Sequence, residues 1–470
     1  MPRLIHKGLV CAAVFLSTLA VYGANPKPQA LRFEVSFSKD LSATPLDGHI
    51  LLLISKDNEQ EPRFQIDIDV TASQQAFGVD VDELAPGTPA IVDSATLGYP
   101  IESLSQLPAG DYWVQGMLNI YETFHLSDGR MLKLPPDKGE GQQWNSKPGN
   151  FYSKPQKIRL DPKGGQVVRI ALTEKVPPIA ESTDTADSHW IKHERIQSDL
   201  LTKFWGRPVY LGAVVLIPDG WEEHASARYP LIVEQDHFSR EFPSWIGFRS
   251  QPPSDKAKEG ERTSQNMGYK LYQDWTSGRM PRAIVLTIQH ANPYFDDSYA
   301  VDSANVGPYG AAITQELIPY IEKKYHAIGE GWARAVFGGS TGGWEALSSQ
   351  VFYPDFYNGA WVFCPDVVDF RAYATTNIYE DKNAYWIDGP FGHVPRPSMR
   401  QPDGLILSTM EMMNRYELVL GTKDRSGEQF DIWEAVFSPV GKVAIPPASS
   451  TNAPATSTPK SRSIGKNTTT

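Results

Sequence analysis

Cysteine is nearly absent. The 470 residues contain two, Cys11 and Cys364. That excludes a disulfide framework and a cysteine-rich zinc site. No HExxH pair occurs, so the usual zinc-hydrolase motif is missing as well. Basic charge is not in excess: 44 Lys and Arg stand against 55 Asp and Glu, a formal net charge of −11. A sequence-independent nucleic-acid binder needs a basic footprint, so that class is excluded. Long apolar runs are lacking too. The best, residues 9–22, falls short of the roughly 20 residues a bilayer span takes. No repeat of solenoid or propeller length is present.

What is there suits a large soluble core with many turns. Hydrophobic residues make up 41% of the chain, and 37 Gly and 37 Pro punctuate it. The length suggests two or three domains.

Residues 1–8 carry Arg3 and Lys7 and no acid, residues 9–22 are almost wholly apolar, and Gly23-Ala24 follows. This is the pattern of a cleaved secretory signal peptide, residues 1–24. It predicts a secreted or periplasmic protein with no membrane span after cleavage. Cys364 is then the one remaining cysteine, and no internal disulfide can form.

Residues 25–176 read as a β-sandwich. Leu31, Phe33, Val35 and Phe37 alternate with polar residues, as do Phe64, Ile66, Ile68 and Val70. Period-two alternation buries one face of a strand. Asp80, Asp82 and Glu83 could offer oxygens to calcium. They equally suit the polar face of a half-solvated strand, and no metal is assigned to them. Residues 177–189 are rich in Pro, Ser, Thr and acids and read as a linker. Residues 190–443 change style. Apolar strand candidates at 209–217, 231–234, 283–288, 333–337 and 360–363 alternate with helical stretches, clearest at 311–325. Such alternation predicts an α/β fold with a mostly parallel sheet. Residues 444–470 are low-complexity Pro, Ser, Thr and Ala and predict a disordered tail.

One stretch carries chemistry. Gly338-Gly339-Ser340-Thr341-Gly342 matches G-x-S-x-G, with a strand candidate before it and a helix candidate after it. In that context the serine stands on a sharp strand-to-helix turn. The flanking glycines remove β-carbons where strand and helix cross. The helix N-terminus points free amides at the site, so the Thr341 amide can stabilise an oxyanion formed when Ser340 attacks an ester. A phosphate loop would need Lys and then Ser or Thr after the last glycine, where Trp344 and Glu345 stand instead.

Residues 208–369 resemble the esterase branch of the α/β-hydrolase fold that includes enterochelin and feruloyl esterases, S-formylglutathione hydrolase and mycolyltransferases. The resemblance lies in Tyr229-Pro230-Leu-Ile-Val, in Glu316 to Tyr325, in the elbow with Trp344, and in Tyr353-Pro354-Asp355-Phe356-Tyr357. It covers about a third of the chain. It implies an α/β-hydrolase-like sheet behind an extra β domain and ester hydrolysis through a Ser-His-acid triad. It also implies no cofactor, with a small-molecule or carbohydrate-linked ester as substrate. The sequence specifies no oligomeric state.

Two departures from that pattern stand out. After Glu234-Gln235-Asp236 the chain reads His237-Phe238, without the glycine that relatives place in the oxyanion loop. The second oxyanion donor is then expected near His237 or Phe238. The order Ser, acid, His also fails to complete itself. His393 is the one histidine after Ser340, and between residues 399 and 444 the best apolar run is Leu418-Val419-Leu420. The chain is expected to stop before the usual acid and base. Three readings follow: an esterase impaired by loss of its C-terminal triad residues; an improvised triad of Ser340 and His393 with Asp366 or Asp388; or a catalytically inactive binding protein on a hydrolase scaffold. Tyr379, Tyr385, Trp386 and Trp433 suit either a pocket or the core. His290, with Asp296 and Asp297, is expected at the rim, without a catalytic role.

Overall fold

The computed structural model describes residues 30–138, 141, 143–179, 187–236, 247–295 and 297–440. The expected signal peptide, the expected tail, linker residues 180–186, His237, Phe238 and Asp296 lie outside them.

The first strand, Arg32–Phe37, buries Phe33, Val35 and Phe37 and turns Arg32, Glu34 and Ser36 outward, as the alternation requires. It pairs in parallel with Val167–Leu172 and antiparallel with Ala90–Val92. A second sheet of seven strands centres on Leu46–Ser55 and Gly110–Ile120. Its Ile50, Leu52, Val114 and Leu118 meet Phe33 and Val35 in one core. Leu51, Leu53 and Met117 point the other way and are also buried. A strand apolar on both faces needs a cover on each. The second cover comes from the far end of the chain.

Residues 64–70 do not form the expected strand. Pro62–Phe64 is a 3-10 turn, and Asp67 and Asp69 each accept the amide two residues on, Asp69 and Thr71. Such turns compete with a sheet ladder. Ile66, Ile68 and Val70 pack on the outer core of the second sheet instead.

The second half is built on β1 (Ile191–Gln197), β2 (Tyr210–Leu216), β3 (Leu231–Gln235), β4 (Ile284–Gln289), β5 (Arg334–Gly339) and β6 (Ala360–Phe363), in the order β1-β2-β4-β3-β5-β6. β2 runs antiparallel to β1 and β4; the pairs β3·β4, β3·β5 and β5·β6 are parallel. Helices α1 (Asp199–Trp205), α2 (Glu259–Thr276), α3 (Ile318–Tyr325) and α4 (Thr341–Phe352) connect the strands. This is the mostly parallel sheet expected from the alternation. The helix expected over 311–325 begins as Tyr309–Ala312 and passes through a π turn, Ile313–Leu317, before α3. Pro319 has no amide to donate and loosens the ladder there.

Leu418-Val419-Leu420 lies in a helix and not in a strand. α5 (Met410–Leu420) starts at Thr409, whose hydroxyl accepts the Met412 amide. A hairpin of Pro397–Arg400 and Ile406–Thr409 pairs only with itself. Among the described residues, the main sheet ends at β6. α5 supplies the missing cover: Tyr416, Val419 and Leu420 pack on Leu51, Leu53 and Met117.

Asp80 locks this contact. Its carboxylate bonds His49 Nδ1 at 2.8 Å and Arg425 Nη2 at 2.6 Å and accepts from Thr422, while His49 Nε2 meets the Val419 carbonyl at 2.8 Å. Burial works to raise the Asp80 carboxyl; His49, Arg425 and Thr422 outweigh it and hold it at about 2, below 3.8. A depressed carboxyl adds stability above its unfolded value and loses it as pH falls through the folded one. The shift corresponds to about 2 kcal/mol. Asp80→Asn is expected to cost about that at pH 7, and its gap from the parent chain in urea unfolding should close between pH 4 and 2. A gap independent of pH would refute the ionic lock.

Candidate active site

β5 delivers Ser340 at the top of the sheet, with φ 55° and ψ −123°, a region L-residues rarely adopt. α4 begins at the next residue. Close packing dictates the glycines here. A Cβ on Gly338 would sit 2.2 Å from the Gly342 carbonyl oxygen, and one on Gly342 would sit 2.2 Å from that of Gln235. The Ser340 amide donates to the Phe363 carbonyl at 3.0 Å, and the Asp366 amide donates to the Ser340 carbonyl at 3.1 Å. The strained turn is thus tied to the end of β6. Thr341 opens α4, so its amide belongs to the first turn, where amides have no intrahelical acceptor.

Asp366 faces the serine. Its Oδ1 accepts from Ser340 Oγ at 3.4 Å. Its Oδ2 accepts from Thr341 Oγ1 at 2.8 Å, Tyr299 OH at 3.1 Å and Gln429 Nε2 at 3.1 Å. Three donors fix one oxygen and leave the other to Ser340. Burial, then the charges of Asp297 and Asp366, push the Tyr299 hydroxyl far above its ordinary value, so it stays a donor. Tyr299 is held in turn by Trp344, Trp433 and Phe437, with ring centres 5.4–5.6 Å away. Gln429 and Trp433 belong to α6 (Gln429–Phe437), whose N-terminus is capped by Glu417 through the Phe430 and Asp431 amides.

Ser340, Thr341 and Asp366 therefore meet. Asp388 and His393 do not join them. They bond each other at 2.9 Å on an exposed hairpin, Trp386–Gly389 with Gly392–Pro395. His393 packs on Trp386. Among the described residues, no hydrogen bond links His393 to Ser340 or Asp366, so the triad with His393 is not assembled. Trp433 is core, while Tyr379 is exposed and Tyr385 accepts from Asn414. His290 is not at the rim. It is 1% exposed, beside Glu345.

Tyr299 and Gln429 were invisible in the sequence, since neither belongs to a motif. Glu345 carried a signal: it lies four residues after Thr341 on the face that also buries Ala346 and Ser349. An acid on the sheet side of an apolar helix marks a special environment. Burial, then the charge of Asp297 and the other nearby acids, push its carboxyl well above the usual range.

Residues 211–410 match the family described as "Putative esterase". That segment, from β2 to the start of α5, is 200 of the 470 residues. No curated protein matches the sequence. Among solved structures, the chain is similar to a ferulic acid esterase (20% identity, 37% of this chain and 58% of that one, TM-score 0.28). It is also similar to an S-formylglutathione hydrolase from Agrobacterium tumefaciens (14%, 38% and 59%, TM-score 0.27). A third is a fluorophosphonate-binding serine hydrolase from Staphylococcus aureus (13%, 50% and 75%, TM-score 0.26). The chain spans less than two thirds of the length of the first two.

The elbow's packing makes a direct prediction. Gly342→Ala should destabilise the chain by roughly 1–3 kcal/mol, as overpacking does. The Cβ meets backbone that cannot swing aside. Ala346→Gly on the same helix should cost only the helix and cavity terms, about 1–2 kcal/mol, and keep the turn. Equal serine reactivity in the two variants would show that the elbow tolerates a wider turn.

Proposed function

We propose that the protein hydrolyses carboxylic esters through an acyl-Ser340 intermediate. The observation that carries this is the hydrogen bond from Ser340 Oγ to a carboxylate whose second oxygen is fixed by three donors. The family match over residues 211–410 supports the reaction class.

Ser340 Oγ attacks the ester carbonyl as its proton passes to Asp366 Oδ1. The carbonyl oxygen takes the negative charge beside the Thr341 amide and the N-terminal dipole of α4. Collapse breaks the bond to the alcohol, which leaves with the proton from Asp366. Water then attacks the acyl-serine, gives its proton to Asp366, and Ser340 recovers it as the acid departs. Asp366 stands where an imidazole usually does. The 3.4 Å contact is long for a hydroxyl bond, and such bonds tighten when substrate binds. The substrate class is a small-molecule or carbohydrate-linked ester, and the site of action is outside the cytoplasm, in keeping with the N-terminal pattern of residues 1–24.

A second reading has its own support. Among the described residues, no imidazole bonds Ser340, which favours a binding protein on a hydrolase scaffold.

A fluorophosphonate probe separates the two. The folded chain should label, and Ser340→Ala should abolish labelling. Asp366→Asn should slow labelling and ester turnover by about 100-fold or more, the usual worth of a general base. Absence of labelling in the folded parent chain would sink the hydrolase reading and leave the binding one.

A further inference from the structure

Tyr299 and Ala300 stand consecutively at φ 54° and 51°, in the left-handed region that residues with a β-carbon avoid. Strain of this kind gathers at functional sites and persists only where the surroundings hold it. Here they do. The Tyr299 amide donates to Asp297 Oδ1 at 2.6 Å, and the Ala300 amide donates to Ser298 Oγ at 3.3 Å. The Tyr299 side chain is fully buried and seated among Trp344, Trp433 and Phe437. This strained seat delivers one hydroxyl to Asp366 Oδ2, the oxygen that does not meet Ser340. We propose that Tyr299 is a positioning residue for the reaction at Ser340: it keeps the transferred proton on Asp366 Oδ1, where the departing alcohol can take it. The inference rests on the hydrolase reading and deepens it.

A protonated carboxyl can carry its hydrogen on either oxygen. On Oδ1 the hydrogen faces the reacting atoms, because Ser340 Oγ lies on that side. On Oδ2 it would be withheld from the leaving group. The hydroxyl of a tyrosine has one hydrogen to give and can also accept. Gln429 Nε2 donates to the Tyr299 oxygen, so the hydrogen is left to point at Oδ2. Gln429 Nε2 also donates to Oδ2 itself at 3.1 Å, and an amide nitrogen cannot reverse and accept. Thr341 Oγ1 adds a third donor. An oxygen that receives three donors has no place for a proton of its own. Burial pushes the Tyr299 hydroxyl far above its ordinary value, so it keeps its hydrogen throughout. Among the surrounding rings an unmade bond is costly, which stops the hydroxyl from turning away.

The proton's course is then fixed. On attack the Ser340 O–H bond breaks and an Oδ1–H bond forms. On collapse the Oδ1–H bond breaks and the alcohol O–H bond forms. The ester C–O bond breaks in the same step, and its electron pair stays with the alcohol oxygen.

The test uses the full chain and acetate esters of phenols of falling acidity, from 4-nitrophenol to 4-methylphenol. Nitrophenolate leaves without a proton, whereas methylphenol needs one. Tyr299→Phe keeps the ring and removes the hydroxyl. It should lower kcat/KM on the 4-methylphenyl ester about ten-fold more than on the 4-nitrophenyl ester, a part of the roughly hundred-fold or more that a general acid contributes. Gln429→Met frees the hydroxyl to turn and should move the same ratio in the same direction. It serves alone if Tyr299→Phe does not fold by circular dichroism. Folded variants that slow both esters by one factor would overturn the role of Tyr299 and leave the hydrolase reading standing, because loosened packing does not discriminate between leaving groups. A folded parent chain that cleaves neither ester would overturn the two together.

Discussion

The approach of α4 to the ends of β3 and β5 governs the site. At Gly338 and Gly342 backbone meets backbone with no room for a β-carbon. That closeness forces Ser340 into its positive-φ turn. Strain of this kind, of order 1–3 kcal/mol, persists only where the surroundings over-determine it. Here they do: the Ser340 amide and carbonyl are both bonded to the segment around the end of β6. The same segment carries Asp366. The constraint that exposes the nucleophile thus also fixes its carboxylate partner.

The C-terminal helices extend that logic across the molecule. α6 brings Gln429 to Asp366 and Trp433 to Tyr299. α5 lies on the open face of the N-terminal sheet, and the residues just after it are held by Asp80. The chain therefore supports its candidate site with helices that follow β6. The N-terminal sheet also reaches the other way. The hairpin of Glu122–His125 and Met131–Leu134 puts Phe124 and Leu132 into the core that contains Trp205 and Leu231. The two halves share apolar contacts at two separate places.

The sequence showed what local pattern encodes. β6 appears at 360–363 as expected, and β2 to β5 lie within one or two residues of expectation. Ser340 and Thr341 were legible because the elbow's chemistry is written in consecutive residues. Asp366 was legible by its place after a strand, although not in its role: it bonds the serine directly, and among the described residues it holds no histidine. Residues 64–70 misled because Ile66, Ile68 and Val70 pack on the outer core of the second sheet without joining a ladder, which imitates a strand's alternation. Leu418-Val419-Leu420 misled because three apolar residues have no period. Tyr299 and Gln429 were illegible in principle, since only the fold brings positions 130 residues apart onto one carboxylate.

The acids around the elbow bear on the chemistry itself. In the proposed reaction, attack by Ser340 would place negative charge on the substrate oxygen, next to the Asp366 carboxylate and near the buried Asp297 and Glu345. A helix N-terminus offers roughly half a positive charge, which one nearby carboxylate already opposes. Further ionised acids below α4 would raise the barrier to an oxyanion at Thr341. A neutral Glu345 is therefore a condition for the proposed reaction at Ser340. The raised carboxyl of Glu345 is the protein's tendency to meet that condition with a proton.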